Sequence, residues 1–147
     1  MSTVHYDRIL NPAVTGIAPS GIRKFFDIAE TMQDVISLGV GEPDFPTPWK
    51  IRRAGIHSLE NSKTRYTSNS GLEQLRKEIA RYVKGKYDLS YDYKDEILVT
   101  VGGSEAIDAA IRAVVCPGDE VIIPQPSYVC YEPMTVLTGG VPVIIQT

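Results

Sequence analysis

The chain has 147 residues, 43% of them hydrophobic and 22% charged, with a formal net charge of -3. That is enough for a domain with a real core, and the composition is ordinary for a globular protein. The acidic balance argues against a nucleic-acid partner, which calls for a basic excess or stripe, and no apolar run approaches the roughly 18 residues needed to span a membrane.

The N-terminus lacks the basic and apolar regions of a secretory signal, so a cytoplasmic protein is the expectation. Cys116 and Cys130 do not form a CxxC pair and read as two reduced thiols. With His5 and His57 the only histidines, no clustered ligand spacing suggests a metal site.

Residues 1–19 carry Pro12, Gly16 and Pro19 without a hydrophobic period and read as an arm. Ser20 is placed to cap a helix in which Ile22, Phe25, Phe26, Ile28 and Ala29 form the apolar face, ending before Asp34. Val35 to Leu38 predicts a short strand, and the Gly- and Pro-rich run from Gly39 to Pro48 predicts irregular chain. Thr47 and Pro48 give a cap and first-turn signal for a helix to about Asn61, with Ile51, Ala54 and Leu59 inward.

A polar connection holding Arg65 and Tyr66 follows, and Gly71 opens a helix to about Lys86. Leu72, Leu75, Ile79, Tyr82 and Val83 recur there at helical spacing, and Glu73 and Lys77 form an i,i+4 pair. Ile97 to Val101 is a short β-branched run that predicts a buried strand. Gly102 and Gly103 then permit a tight turn, with Ser104 as the expected N-cap of a helix through Val114. Pro117-Gly118-Asp119 turns the chain into a strand at 120–124, a helix is expected from Tyr128 to Thr138, and Val141 to Ile145 is the last strand.

From residue 97 onward the order β-α-β-α-β argues an α/β sheet with helices on its faces. In such sheets ligands gather beyond the C-terminal ends of the strands, where the loops 102–105 and 125–128 lie. A helix start there offers N–H donors and the positive end of a dipole to an anion, although an ordinary βα turn fits the same residues. Tyr128 adds an aromatic face, and donors with a flat ring suit a phosphate on a planar heteroaromatic body. Gly39-Val40-Gly41 is not half of a dinucleotide motif, because Asp44 stands at the third position and Pro43 and Pro46 prevent a helix from opening.

Four stretches together carry a family resemblance: Ile36-Ser-Leu-Gly-Val-Gly-Glu-Pro-Asp-Phe-Pro-Thr-Pro48; Arg65-Tyr66 with Gly71-Leu72 and Leu75-Arg76; Val99-Thr-Val-Gly-Gly-Ser-Glu-Ala106; and Pro117-Gly-Asp-Glu-Val-Ile-Ile-Pro-Gln-Pro-Ser-Tyr128 with Tyr131. In this order they resemble the class I/II pyridoxal-phosphate aminotransferases, over nearly the whole chain but less than half the family's usual length.

The resemblance implies the fold type I architecture: part of a three-layer αβα large domain, preceded by an arm and small-domain segment. Residues 1–47 would belong to the small domain and 48–147 would begin the large one. It implies pyridoxal 5'-phosphate as cofactor, held by backbone N–H groups at Gly103, Ser104 and Glu105, with Tyr128 stacked on its ring. Tyr66 would reach the cofactor phosphate of the partner subunit in a homodimer with shared active sites. Gly41 would lie against the substrate carboxylate, and Ile17 would border the substrate pocket.

The family's Schiff-base lysine lies downstream of the matching stretch, so no catalytic residue is expected in these 147 positions. The expectation is an N-terminal portion, inactive alone, of an enzyme exchanging an amino group between an amino acid and a 2-oxo acid. A β-lyase, an aminocyclopropane-carboxylate synthase-like enzyme and a non-catalytic aminotransferase-like sensor remain alternatives. In the family, strand 97–101 does not neighbour 120–124, so the two are not expected to pair.

Overall fold

A computed structural model describes residues 9–34, 36, 41 and 43–147. The strand expected at 35–38 lies, apart from Ile36, outside the described residues, and Ile36 itself has no regular structure. The described residues form two compact units, one made of the chain up to Glu30 with Val101–Thr147, the other of Thr31–Thr100.

The first unit begins with a single-turn helix α1 (Pro12–Thr15), capped by the Asn11 side chain, which accepts from the Ala13 N–H at 2.9 Å. Helix α2 (Ile22–Glu30) starts where expected, with the Ser20 hydroxyl accepting from the Ile22 N–H at 3.4 Å. Helix α5 (Gly102–Val114) leads through the Pro117-Gly118-Asp119 turn into β1 (Glu120–Gln125), then α6 (Tyr131–Leu137) and β2 (Val141–Gln146). The two strands pair in parallel, Glu120 opposite Val141 through Gln125 opposite Gln146, with α6 packed on both. This is the βαβ unit that the alternating pattern predicted.

Alternate residues of β1 turn inward, and Ile123, 3% exposed, is the one fully covered hydrophobic residue among those described. Thr135, wholly buried on α6, satisfies its hydroxyl on the Tyr131 carbonyl at 2.8 Å. A Cβ on Gly140 would stand 2.9 Å from Val115 and 3.1 Å from Thr135, so only glycine allows the chain to enter β2 this close to α6.

The second unit carries α3 (Trp49–Glu60) and α4 (Glu73–Tyr87). Pro48, not Thr47, occupies the α3 N-cap, and no side chain caps it. Proline fixes the φ that precedes the helix and has no N–H to satisfy, so the hydroxyl signal one residue earlier is overridden. Helix α4 begins after Leu72 and ends at Asp88, which adopts the left-handed conformation at φ 57°.

Three further expectations fail in the elements themselves. Residues 97–101 form no strand among the described residues; the Val99 N–H donates instead to the Ser70 carbonyl at 3.1 Å, in the turn before α4. A strand is defined by its neighbour, and the sheet among the described residues holds β1 and β2 alone. The last helix starts at Tyr131 rather than Tyr128, because residues 126–130 turn first. Ile51, Ala54 and Leu59 do not point inward: α3 is exposed almost all round, as is the apolar face of α2 at Phe25 and Ile28. Periodicity identifies which face would be buried, but burial needs a second layer to cover it.

The Glu73–Lys77 pair forms at 2.6 Å on the surface of α4. Lys77, first by hydrogen bond and then by charge, holds Glu73 below its ordinary range, and Glu73 in turn raises Lys77. A lowered carboxylate contributes above its unfolded range and loses that contribution as pH falls through its folded value; the raised lysine loses its contribution as pH rises through its own. The pair is therefore flat between those limits. In an NMR titration Glu73 is expected to protonate at lower pH than an isolated glutamate, and Lys77→Met to move that midpoint upward. An unmoved midpoint would show that the pair is not formed.

Candidate functional site

The first unit draws several of the singled-out residues together at the start of α5. Gly102 sits at φ 81°, in the left-handed region that glycine enters without strain, and this turns the chain into the helix. Val101, not Ser104, is the N-cap. Its N–H is taken by the Glu105 carboxylate, so an acidic side chain rather than a hydroxyl closes the first turn. An acid in the first helical turn is a start signal readable from sequence, and it was the better guide here.

Ser104 is thereby freed for another contact. Its hydroxyl is hydrogen-bonded to the Tyr128 hydroxyl at 2.8 Å, across 24 residues of sequence. The Tyr128 ring is half exposed, and Tyr131 holds it edge-on, the centroids 5.9 Å apart and the planes at 83°. Helix geometry leaves the N–H groups of the first turn, Gly103 and Ser104 among them, without intrahelical acceptors. A Cβ on Gly103 would meet no atom within 4 Å, so the helix start is uncrowded at that position.

A cleft of about 880 Å³ runs along the same unit. Ile17 and Pro19 form one side, and Gln125, Tyr128, Cys130 and Glu132 the other. The Gln125–Pro126 peptide in its wall is cis. Ile17 and Tyr128, singled out separately, thus share one cavity. Gln125, Cys130 and Glu132 were not foreseen: Gln125 donates to Glu132 at 3.5 Å, a contact seven residues apart that no local motif announces.

Burial pushes the Cys130 thiol up from its ordinary value, against smaller opposing contributions from its own backbone and the Ser104 hydroxyl. Cys116 is exposed. Since the thiolate is the nucleophile, alkylation near neutral pH followed by mass spectrometry is expected to label Cys116 before Cys130. Equal rates would contradict the covered position of Cys130.

Tyr66 and Gly41 belong to the other unit. Tyr66 stands fully exposed beside Thr64 and Arg65, which border the same shallow hollow. Gly41 has no atom within 4 Å of the position its Cβ would take. Among the described residues no group of three or more His, Cys, Asp or Glu side chains could hold a metal ion, and no helix is long and apolar enough to cross a membrane.

Residues 33–147 match the family of class I and II aminotransferases. The chain belongs to that family. It is 57% identical over 94% of its length to a putative aminotransferase, YugH, of Bacillus subtilis, and 44% identical over 89% to an aspartate aminotransferase of Pyrococcus abyssi. Among solved structures, it superposes on an aspartate aminotransferase of Thermotoga maritima with a TM-score of 0.85 at 32% identity, covering 94% of this chain and 38% of that one. A Pyrococcus protein gives the same TM-score at 42% identity, with 92% of this chain and 35% of that one covered. The chain spans only 36% of the length of the Bacillus relative and 34% of the Pyrococcus abyssi one. The architecture is the α/β fold of this family in part, as the sequence resemblance implied, and β1 pairs with β2 rather than with residues 97–101.

Proposed function

We propose that this chain is the N-terminal part of a pyridoxal-phosphate-dependent aminotransferase, moving an amino group between an amino acid and a 2-oxo acid. The observation that carries the reading is the Ser104–Tyr128 contact, which sets a half-exposed aromatic ring beside an uncrowded helix start. A phosphate ester on a flat, electron-poor ring fits both halves of that arrangement. Names of relatives sharing over 40% of their matched residues with this chain support the same reaction class.

In this reading the N–H groups of Gly103 and Ser104 bind the phosphate, aided by the helix dipole, whereas the Glu105 N–H, fifth from the Val101 cap, opens the intrahelical ladder instead. The Glu105 carboxylate, turned back onto Val101, caps the turn rather than meeting the anion. Tyr128 stacks on the ring and orients it. When bound, pyridoxal phosphate supplies an electron sink for chemistry at the amino acid α-carbon. Ile17 walls the substrate side, and the missing side chain at Gly41 leaves room for the α-carboxylate. Tyr66 donates to the phosphate in the partner subunit of a cytoplasmic homodimer. Residues 1–47 belong with the small domain and 48–147 begin the large one. The cofactor-bearing lysine lies outside residues 1–147, so this stretch alone is inactive.

The test is to supply the full-length protein with pyridoxal phosphate, an amino acid and 2-oxoglutarate. Glutamate is the expected product. Pyruvate with ammonia would make the protein a lyase, and no cofactor uptake would remove the reading altogether.

A further inference from the structure

The geometry points to Arg76 as a positioning residue that acts through Tyr66. This rests on the proposed contact between Tyr66 and a cofactor phosphate, and adds to it the element that holds Tyr66 in place.

Arg76 is 8% exposed, the one buried cation among the described residues. No carboxylate lies within ion-pair distance of it there, as the ion pairs found on α4 involve Lys77, Arg81 and Lys84. It is held by backbone carbonyls instead: Nη1 donates to Tyr93 at 2.6 Å and to Lys94 at 3.0 Å, and Nε donates to Gly71 at 3.3 Å. A buried charge is costly unless it is hydrogen-bonded, and here two of the guanidinium nitrogens bind three carbonyls on two stretches of chain, the turn at Gly71 and the loop at Tyr93 and Lys94. A lysine gathers its three donors on one nitrogen and lacks the planar fork whose Nε and Nη1 reach both stretches at once.

The stretch it grips most tellingly is the turn 68–71. The Gly71 carbonyl receives both Arg76 and the Ser68 hydroxyl, the latter at 2.8 Å. The Gly71 N–H returns to the Ser68 carbonyl at 2.9 Å, and Ser70 accepts from Val99 at 3.1 Å. Tyr66 lies two residues before this knot. Its own side chain is fully exposed, so no packing within this chain fixes it. Its position is set by the backbone that Arg76 and Ser68 anchor. Loosening the knot spreads the Tyr66 hydroxyl over more positions and weakens what it touches.

The test is a double-mutant cycle in the full-length protein, reading the dissociation constant of pyridoxal 5'-phosphate from its absorbance with the apo dimer. Arg76→Lys is expected to weaken binding about fivefold in the native background and less than about twofold when Tyr66→Phe is already present, the mark of coupled residues. Ser68→Ala, which removes the second donor to the same carbonyl without touching the charge, is expected to show the same dependence on Tyr66. Equal weakening by Arg76→Lys in both backgrounds would overturn the inference, since it would make Arg76 a general support of the fold. So would unchanged binding in both Arg76→Lys and Ser68→Ala while Tyr66→Phe weakens it. If Tyr66→Phe alone changes nothing, the Tyr66 assignment itself fails, and the cycle shows that separately.

Discussion

Gly71→Ala is expected to destabilise the full-length protein by about 4 kcal/mol, a large share of the roughly 5–15 kcal/mol that holds a folded domain together. Two effects add. Gly71 has φ 95°, where a side chain brings strain of about 1–3 kcal/mol. The new Cβ would also stand 2.6 Å from Val99 Cβ and 2.9 Å from its Cγ2, and overpacking of this kind costs about 1–3 kcal/mol more. Neither atom is the free end of a flexible chain, so relief requires the backbone to move. That movement would break the Val99-to-Ser70 hydrogen bond and pull the Gly71 carbonyl from Arg76. Gly85 on α4 provides the control, because its φ is not positive and a Cβ there meets nothing within 4 Å. Gly85→Ala is expected to stabilise by about 0.5–1 kcal/mol, the ordinary helix gain. Urea unfolding with an unchanged slope reads both. A loss below about 1 kcal/mol for Gly71→Ala would mean that the turn yields.

The same contrast marks what the sequence could and could not tell. Features fixed within a few residues were legible: the Ser20 start of α2, the Pro117-Gly118-Asp119 turn, the Glu73–Lys77 pair and the parallel β1–α6–β2 unit. Features that depend on distant chain were not. The run from Ile97 to Val101 is rich in β-branched residues and reads as a strand, yet it joins no ladder among the described residues, and hydrogen bonds to a neighbour are what make a strand. Phe25, Ile51 and Leu59 sit on the faces their periodicity marks, yet remain exposed. Covering those faces takes a second layer, which the described residues do not supply.

The site divides along the same line. Gly103, Ser104 and Tyr128 could be chosen because loops after strands in α/β chains gather ligands, and the motifs agreed. Which group caps the helix could not be settled by residue type. Serine and glutamate are both good first-turn residues, and the contest was decided by Tyr128, whose hydroxyl binds Ser104 while Glu105 takes Val101. Arg76 stands within one of the family motifs, but its burial and its three carbonyl partners emerge only when Tyr93 and Lys94 fold back onto α4.

Gly103→Ala is expected to separate folding from binding at the helix start. A Cβ there meets no atom within 4 Å and the φ is not positive, so nothing in the fold resists it. Alanine in the first turn of α5 is expected to leave stability unchanged or raise it by up to about 1 kcal/mol. The substitution adds a methyl group beside the first-turn N–H groups, to which a phosphate has to come close to use them. A methyl group there holds the anion off, and losing one charge-assisted hydrogen bond, worth about 1.5–3 kcal/mol, corresponds to about 10- to 150-fold weaker cofactor binding. Tyr128→Phe should leave the cradle intact and change affinity little, because the ring remains to stack and only the bond to Ser104 is lost. Titration of the apo protein with pyridoxal phosphate, beside a thermal melt of each variant, measures the two quantities independently. Unchanged affinity in Gly103→Ala would return these residues to an ordinary βα turn. A loss of stability matching the loss of affinity would show instead that Gly103 supports the helix rather than the ligand.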